Sequence, residues 1–292
     1  MVEVFEDAAV SEAAYVEEVM PSIYLPTVAK IIKVRTETEM EKVFTVRLPG
    51  GRPLGHAPGQ FVMVSLPGIG EAPISVMSSP SRTHETFELC IRRVGNLTNS
   101  LHKLLPGDDI GIRGPFARGF PMDVFKKKDV IVAAGGLGLA PARSFIDEIL
   151  DNRDDYGRLI VLYGARNPSE ILFRDELRKW RMRDDIDLLV TVDRPDESWV
   201  GHIGVITRLF PRVEINPAKA MAVTIGPPIM YRFVTVELLG KGLSPDQIWM
   251  SFERRMKCGV GKCGHCQVNY RYSCQEGPSW TYAEALAFEE AL

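Results

Sequence analysis

The chain has 292 residues, of which 45% are hydrophobic and 25% are charged, and its formal net charge is −3 at pH 7. This length is enough for two domains, and the composition is ordinary for a soluble globular protein. The weak negative charge gives no indication of nucleic-acid binding. The acidic first residues are unlike a signal peptide, and the most apolar stretch, residues 130–142, is too short to span a bilayer and is broken by three glycines and a proline. We therefore expect a cytoplasmic protein that binds neither nucleic acid nor membrane.

Residues 1–26 form an acidic extension that is rich in alanine and valine and ends at Pro26. Five of its apolar side chains could share one side of a helix: Phe5, Val10, Tyr15, Val16 and Val19. Two interpretations are open, a loosely held tail and an arm that docks on a partner protein.

Short strands separated by turn residues are predicted for residues 27–124. The apolar and β-branched runs lie at residues 28–34, 43–48, 60–66, 74–77 and 87–91. One helix is predicted from about Thr98 through Leu105, before Pro106 and Gly107. Regularly spaced short strands of this kind are typical of a small antiparallel barrel.

From Lys128 onward, continuous apolar runs alternate with amphipathic segments. The runs lie at residues 129–134, 158–164, 186–192 and 220–225, and helices are predicted up to Leu150 and around 172–180. Strands alternating with helices predict a parallel sheet that is covered on both faces. We therefore expect an α/β domain at residues 125–253 and a separate C-terminal segment at residues 254–292.

Four of the five cysteines lie close together near the end of the chain, with the spacing C-x4-C-x2-C-x7-C: Cys258, Cys263, Cys266 and Cys274. Thiolates this close, with glycines between them, are typical of a metal site. The order is that of a plant-type [2Fe–2S] site, although there the last cysteine lies further away. A structural zinc site also uses four thiolates, but zinc knuckles favour two C-x2-C pairs. A disulfide is a third alternative, which a reducing compartment disfavours. Cys90, on a predicted strand, is expected in the core.

Two glycine turns are predicted at the carboxyl edge of the parallel sheet. The first contains Gly135, Gly136 and Gly138, where a strand turns into a helix and a phosphate can approach the backbone. The full dinucleotide fingerprint is not present, and such a turn alone is weak evidence. The second turn, Gly226 and Pro227, opens a helix that contains Met230. Together the two turns indicate a dinucleotide crevice.

The predicted barrel has its own candidate ligand-binding groups. Ser75, after Pro73 and Ile74, offers a hydroxyl and a backbone N–H on a strand, and Gly95 to Thr98 open a helix that suits a diphosphate. Arg92 follows Ile91 at the end of another strand, where a simple solvated cation is the alternative interpretation.

The order of these motifs resembles that of the ferredoxin–NADP reductase-like family, over about residues 27–280. The run at residues 253–266 is similar to one branch of it. That branch holds the gamma (diaphorase) subunits of cytosolic NAD(P)-linked nickel–iron hydrogenases, the electron-transfer subunits of dihydroorotate dehydrogenase, and the small subunits of NADH-dependent ferredoxin:NADP oxidoreductases.

The resemblance implies an α+β two-domain flavoprotein. A flavin-binding antiparallel β-barrel would be followed by an α/β parallel-sheet nucleotide-binding domain and a C-terminal [2Fe–2S] cysteine loop. The implied cofactors are FAD and a [2Fe–2S] cluster, with NAD(P)(H) as substrate. Family members differ from this chain at Ala72, often an arginine, at Ile225, usually a cysteine, and at Leu137, often a threonine. The change at Ala72 leaves FMN as an alternative to FAD.

The resemblance also implies roles for the candidate residues. The residues implied for the flavin ring are Pro73, Ile74 and Ser75, with Ser75 near N5. The residues implied for the rest of the flavin are Ile91, Arg92, Gly95, Leu97 and Thr98. The residues implied for the nicotinamide nucleotide are Gly135, Gly136, Gly138, Gly226, Pro227 and Met230. The ligands implied for the cluster are Cys258, Cys263, Cys266 and Cys274. No catalytic acid or base is implied, because a hydride passes between cofactors.

These cofactors are complementary, because a nicotinamide exchanges two electrons, an iron–sulfur cluster exchanges one, and a flavin does both. We expect an electron-transfer subunit that links NAD(P)H to a partner redox enzyme. A hydrogenase is the first choice of partner, and the dihydroorotate dehydrogenase and ferredoxin:NADP oxidoreductase complexes are the alternatives. A zinc-bearing adaptor without turnover is the non-catalytic alternative. Arg166 could bind the 2′-phosphate of NADP or form a structural salt bridge, so the choice of nucleotide stays open.

Overall fold

The computed structural model describes residues 22–252 and 254–288. Most of the acidic extension therefore lies outside the described residues, and so does the predicted helix face within it. In the described part of the chain, no helix is both long enough and apolar enough to cross a bilayer. Within these residues, a six-stranded antiparallel sheet is followed by a seven-stranded, mainly parallel sheet and a small two-stranded hairpin, so the expected fold class is confirmed. The domain boundaries drawn from the sequence stay predictions.

The first sheet is a six-stranded barrel. Its strands are β1 (Thr27–Thr36), β2 (Glu41–Arg47), β3 (Phe61–Leu66), β4 (Gly70–Ser75), β5 (Thr86–Arg92) and β6 (Asp109–Phe116). They pair antiparallel in the order β4-β3-β6-β1-β2-β5, and a bridge between Val76 and Leu89 closes the two ends. Large side chains such as Phe44 and Leu89 fill the interior. The barrel is closed because its strand edges pair with each other instead of facing water.

One short helix, α1 (Asn96–Leu101), covers an end of the barrel and buries Leu97 and Leu101. It is shorter than the helix predicted up to Leu105. The ring of His102, the residue after the helix, bonds the carbonyl oxygen of Ile91 at 2.8 Å. Because this contact holds His102 against β5, the chain turns there.

The second sheet has seven strands. They are β7 (Asp129–Gly135), β8 (Leu159–Ala165), β9 (Ile186–Val192), β10 (His202–Ile203), β11 (Ala220–Ile225) and β12 (Ile248–Ser251), all parallel, and the antiparallel edge strand β15 (Ser279–Thr281). The helices are α2 (Leu139–Asp151), α3 (Arg174–Arg181) and α4 (Pro228–Gly240). One face is covered by a core that includes Phe145 and Trp180, the other by a core that includes Phe210 and Leu238. This is the two-sided burial that continuous apolar strands predict.

The C-terminal segment contains a two-stranded hairpin, β13 (Gln267–Val268) and β14 (Arg271–Tyr272), then β15 (Ser279–Thr281) and α5 (Tyr282–Leu286). Strand β15 pairs antiparallel with β12 and so extends the second sheet. Trp280 on β15 is 1% exposed and packs against Phe252 and Phe288. The sequence did not predict this strand, which fixes the cysteine loop to the nucleotide-type domain.

Ion pairs on α2 join the barrel to the α/β domain. Arg143 of α2 pairs with Glu88 of β5 at 2.7 Å and with Glu176 of α3 at 2.5 Å. Arg82, between β4 and β5, pairs with the buried Asp147 of α2 at 2.7 Å. Because all of these side chains except the exposed Arg82 are largely shielded from water, their attraction is screened less than that of surface pairs. The network therefore fixes how the barrel is oriented on α2.

A second contact between the domains explains where α3 begins. The backbone N–H of Phe173 donates to the carboxylate of Glu37, in the turn between β1 and β2, at 3.1 Å. Phe173 has φ of 50°, in the left-handed region, so the helix starts only at Arg174 and not at Leu172.

The carboxyl group of Glu176 is costly to ionise in this position. Burial raises the pKa of Glu176 to about 7, although Arg143 lies beside it; the neighbouring carboxylates Asp147 and Glu88 add to the rise, and Arg35 opposes it. Burial also raises the pKa of Asp147. A carboxyl group whose pKa is higher when folded binds its proton more tightly in the fold. Its contribution to stability is therefore greatest below its unfolded pKa and declines as the pH rises.

We expect Glu176→Gln to flatten the dependence of stability on pH. In the wild type, the contribution of Glu176 should decline between pH 4.5 and about pH 7. The decline is at most about 3 kcal/mol, and the glutamine variant lacks it. Thermal unfolding from pH 4.5 to pH 8 measures this. Asp175→Asn, at the exposed neighbouring position, should keep the wild-type profile. Parallel profiles for all three proteins would contradict the prediction.

Candidate functional site

The residues predicted for the flavin ring lie at the end of β4. Strand β4 is the terminal strand of the sheet, and Pro73, Ile74 and Ser75 are each half-buried. Ile74 packs against the barrel core. Because side chains alternate along a strand, Pro73 and Ser75 lie on the outer face of the barrel.

The outer face at β4 continues onto the cysteine loop. Pro73 is directly opposite Met63 on β3, and Ser75 is opposite Phe61, so all four side chains lie on one face. Phe61 and Met63 form a buried cluster with Cys266 and Cys274. The structure therefore brings the predicted flavin strand and the predicted cluster ligands to a common surface of the barrel.

The residues predicted for the rest of the flavin are distributed differently. The side chain of Ile91 is in the barrel core, 1% exposed, and its carbonyl oxygen bonds His102. Arg92 is half-buried at the end of β5, with Nε at 3.4 Å from the carboxylate of Glu41. A phosphate at this position would therefore compete with Glu41 for the guanidinium group.

The start of α1 is a closed turn with open space beside it. The hydroxyl oxygen of Thr98 accepts hydrogen bonds from the backbone N–H groups of Val94 at 2.9 Å and Gly95 at 3.0 Å. Leu97 is buried in the barrel core. A Cβ atom on Gly95 would meet no atom within 4 Å, so the backbone at this turn is accessible to a ligand.

The two predicted glycine turns are in direct contact with each other. A Cβ on Gly138 would lie 2.4 Å from the carbonyl oxygen of Ile225, at the end of β11. A Cβ on Gly135 would lie 2.5 Å from Sδ of Met230, and one on Gly226 would lie 2.6 Å from Cε of Met230. Since β7 and β11 are adjacent and parallel, the turns meet at the carboxyl edge of the sheet, where open α/β sheets bind ligands.

Gly136 and Pro227 complete these turns. Gly136 has φ of +52°, and a Cβ there would meet nothing within 4 Å. Pro227 precedes the first turn of α4. The first turn therefore needs a left-handed residue at Gly136, yet it keeps the open side that a phosphate requires.

Arg166 follows β8 and is exposed. Its carbonyl oxygen accepts the backbone N–H of Arg194, which follows β9, at 2.8 Å. Both arginines act on the carboxyl group of Asp193: burial raises the pKa of Asp193, and the charges of Arg194 and Arg166 lower it. Sequence reasoning missed Asp193 and Arg194; their position just after the third parallel strand was the available signal.

The four clustered cysteines are arranged as two pairs. Cys258 and Cys263 are within hydrogen-bonding reach of each other, and so are Cys266 and Cys274. Backbone N–H groups also point at the sulfurs. Those of Val260 and Lys262 donate to Sγ of Cys258, each at 3.4 Å, and that of Gly261 donates to Sγ of Cys274 at 3.0 Å. Such bonds to sulfur are one means by which a protein sets the potential of a cluster.

Glycine makes this loop possible. Gly259, Gly261 and Gly264 have φ values of +74°, +69° and +79°, in the left-handed region that favours glycine. A Cβ on Gly259 would lie 2.9 Å from the ring of Phe116 on β6, so the loop also has no room for a side chain against the barrel.

The cysteines differ in access to solvent. Cys263 is exposed, whereas Cys266 and Cys274 are buried. Burial raises the pKa of Cys274 to about 12, and the contact with Cys266 adds to the rise. All five cysteines are free thiols, and the expected core position of Cys90 is confirmed, with burial raising its pKa. In the described part of the chain, no three cysteine, histidine or acidic side chains are placed to hold one metal ion.

Comparison with known families assigns a function to each of these regions. Residues 28–119 match the oxidoreductase FAD-binding domain, and residues 132–235 match the oxidoreductase NAD-binding domain. Residues 253–285 match the iron–sulfur cluster binding domain of dihydroorotate dehydrogenase B. Fold and site thus define an oxidoreductase of the diaphorase type, with an FAD-binding barrel, an NAD-binding α/β domain and an iron–sulfur domain.

Similar proteins are known from archaea. Sulfhydrogenase 2 subunit gamma of Pyrococcus furiosus is 41% identical over 278 residues, with 89% of this chain and 96% of that protein covered. A probable dihydroorotate dehydrogenase B (NAD(+)) electron transfer subunit of Methanocaldococcus jannaschii is 31% identical, with 87% and 88% covered. A chain of NADH-dependent reduced ferredoxin-NADP oxidoreductase has the same fold, with a TM-score of 0.71, 24% identity, and 91% of both chains covered. The chain belongs to the ferredoxin–NADP reductase-like family, in the branch that holds these electron-transfer subunits.

We expect Gly138→Ala to weaken nicotinamide binding severely. Its new Cβ would collide with backbone atoms of Ile225 and Gly226, which cannot rotate away. Steady-state reduction of an artificial dye by NAD(P)H should show a KM for the nucleotide raised at least about tenfold. Gly135→Ala should be milder, because its collision is with the flexible Met230 side chain.

Gly240→Ala is the matched control, because a Cβ at the end of α4 meets nothing within 4 Å and the backbone there is not left-handed. It should keep the wild-type KM. An unchanged KM in Gly138→Ala would show that the nucleotide binds elsewhere.

Proposed function

We propose that this protein is an electron-transfer subunit that carries electrons between NAD(P)H and a partner redox enzyme through FAD and a [2Fe–2S] cluster. One observation carries the proposal. Pro73 and Ser75, on the flavin strand, share a barrel face with Phe61 and Met63, and those two side chains pack on cluster cysteines. Electron donor and acceptor sites on one rigid face are what transfer between two fixed cofactors requires.

The residues of this chain bind, orient and shield the cofactors. When bound, FAD exchanges a hydride with nicotinamide and single electrons with an iron centre. Pro73 and Ser75 are proposed to line the flavin ring, and the two glycine turns to hold the nucleotide at the edge of the sheet. Phe61, Met63 and Phe116 pack against the cysteine loop and exclude water between the flavin strand and the cluster. No side chain needs to move a proton in the hydride step itself.

The pairing of the cysteines supports a [2Fe–2S] cluster over zinc. In such a cluster each of two iron atoms takes two thiolates, which fits Cys258 with Cys263 and Cys266 with Cys274. A tetrahedral zinc ion needs four donors around one point. Four thiolates reserved for a cluster, and not for disulfides, also support a reducing, cytoplasmic location.

The exposed side of the cysteine loop is proposed as the exit to the partner. Cys263 lies at the surface with the exposed cations Arg255, Lys257 and Lys262, and residues 254–275 contain no aspartate or glutamate. We therefore propose a partner with an acidic face around its own redox centre. Identity is higher to sulfhydrogenase gamma subunits than to dihydroorotate dehydrogenase subunits, which favours a hydrogenase partner.

The adenosine end of the nucleotide is proposed to lie at Arg166 and Arg194. Both follow parallel strands at the edge that holds the glycine turns. The two arginines suit a 2′-phosphate and the neighbouring carboxylate of Asp193 suits a free ribose hydroxyl, so the choice between NADPH and NADH stays open. For the flavin diphosphate, the backbone at Gly95 is the accessible group, with Thr98 fixing the turn and Arg92 nearby.

We expect replacement of a clustered cysteine to separate the two halves of the electron path. Cys263→Ala and Cys274→Ala should each lose most of their iron and the visible absorption of the cluster. Flavin content and dye reduction by NAD(P)H should persist, because the flavin strand and glycine turns are untouched. Electron delivery to the co-purified partner should fall at least about a hundredfold.

Cys90→Ala is the control, because Cys90 lies in the core away from the cysteine loop. It should keep two iron atoms per chain. Zinc in place of iron in the wild type, or full electron delivery in Cys263→Ala, would exclude the proposed function.

A further inference from the structure

Arg113, in the middle of β6, is a charged residue whose side chain is only 6% exposed. Its guanidinium group holds the carboxylate of Glu71 with two hydrogen bonds, from Nε at 2.8 Å and from Nη2 at 2.6 Å. It also donates from Nη1 to the carbonyl oxygen of Ile23 at 2.8 Å, and from Nη2 to that of Cys258 at 3.0 Å. One buried cation therefore joins three separate parts of the chain.

Two of these parts belong to the proposed electron path. Glu71 lies on β4, two residues before Pro73, and the alternation of the strand puts it on the same outer face as Pro73 and Ser75. Cys258 is the first of the four proposed cluster ligands. Arg113 therefore links the flavin strand directly to the cysteine loop, and the two-bond geometry with Glu71 fixes the orientation of the link.

The surroundings of Arg113 make the same connection. Its guanidinium carbon lies 5.5 Å from the ring centroid of Phe116, and that ring occupies the space where a Cβ on Gly259 would be. Just after β6, the backbone N–H of Ala117 donates to the carbonyl oxygen of Cys274 at 3.0 Å. The end of β6 therefore forms the surface on which the cysteine loop packs, and Arg113 is the charged residue of that surface.

The charges of Arg113 and Glu71 act unequally on the loop. The Glu71 side chain is 25% exposed, so water screens its negative charge in part, whereas the Arg113 side chain is 6% exposed and lies against Cys258. The less screened of the two charges is therefore the positive one, and it is the one in contact with Cys258. A positive potential stabilises the reduced, more negative state of an iron–sulfur cluster and so raises its midpoint potential.

We propose that Arg113 is a positioning residue that fixes the cysteine loop against the flavin strand, and that its buried charge makes the cluster easier to reduce. The proposal rests on the proposed function, because it assumes that the loop holds an iron–sulfur cluster. It assigns a role to a residue that touches no substrate and supplies no ligand.

The test compares charge changes of opposite sign. Arg113→Gln removes the cation, and Glu71→Gln removes its counter-charge while leaving Arg113 in place. In redox titrations followed by electron paramagnetic resonance, the midpoint potential of the cluster should fall in Arg113→Gln and rise in Glu71→Gln. A purely structural role predicts no such change of sign, so shifts in one direction, or no shift in either variant, would overturn the electrostatic part.

Positioning is tested separately by the rate of iron release to a chelator. Arg113→Lys keeps the charge but cannot hold Glu71 and Cys258 with one planar group, so release should be at least about tenfold faster. Lys30→Gln, which breaks an exposed ion pair with Asp109 at the opposite end of β6 from the cysteine loop, should release iron at the wild-type rate. Equal rates in Arg113→Lys and the wild type would overturn the positioning role.

The wild type distinguishes failure of this inference from failure of the proposed function. A wild type without an iron–sulfur cluster would remove the function itself. A wild type with a normal cluster, alongside variants that match it in potential and iron release, would remove only the role of Arg113. If Arg113→Gln does not fold, Arg113→Lys still decides the positioning role, and a fall or no shift of the midpoint potential in Glu71→Gln still overturns the electrostatic part.

Discussion

The contact between the outer face of the barrel and the cysteine loop is the constraint on which the rest of the structure depends. Met63 and Phe116 leave no room for a side chain at Gly259, so the loop lies directly on strands β3 and β6. Electron transfer between fixed centres depends on their separation, and a packed interface keeps a separation constant. The strand proposed to line the flavin is next to β3 in the same sheet. In the proposed function, the barrel therefore supports both the flavin and the iron–sulfur cluster.

The orientation of the α/β domain relative to the barrel depends on a different set of contacts, which are ion pairs between charged side chains. Arg143 connects α2 to β5 and α3, and Arg82 connects the barrel to Asp147. Burying ion pairs is a weak source of stability, because desolvation offsets much of the attraction. The raised pKa values of Glu176 and Asp147 show the same cost. Such pairs do fix geometry, and here they fix the nucleotide edge of the sheet relative to the barrel.

Local patterns in the sequence predicted most of the fold and much of the site. Apolar runs located the parallel strands, and glycines next to them located the turns that now meet at Ile225 and Met230, because such signals need only a few neighbouring residues. Long-range pairings were not predictable in this way. The strand β15, the contact of Phe61 with the cysteine loop, and the bonds of Arg113 to Glu71 and Cys258 join residues far apart in sequence. For α3, a tertiary contact at Phe173 overrode the local helical pattern.

In the proposed function, electrons from a nicotinamide reach the cysteine loop through the flavin. The most direct measurement is anaerobic addition of NADH, and separately NADPH, to the purified protein, followed by visible and electron paramagnetic resonance spectroscopy. We expect bleaching of the flavin bands and the signal of a reduced [2Fe–2S] cluster with at least one nucleotide, and loss of that signal after removal of the flavin. A flavin that is reduced while the cluster stays oxidised, or a cluster that is reduced without flavin, would contradict it.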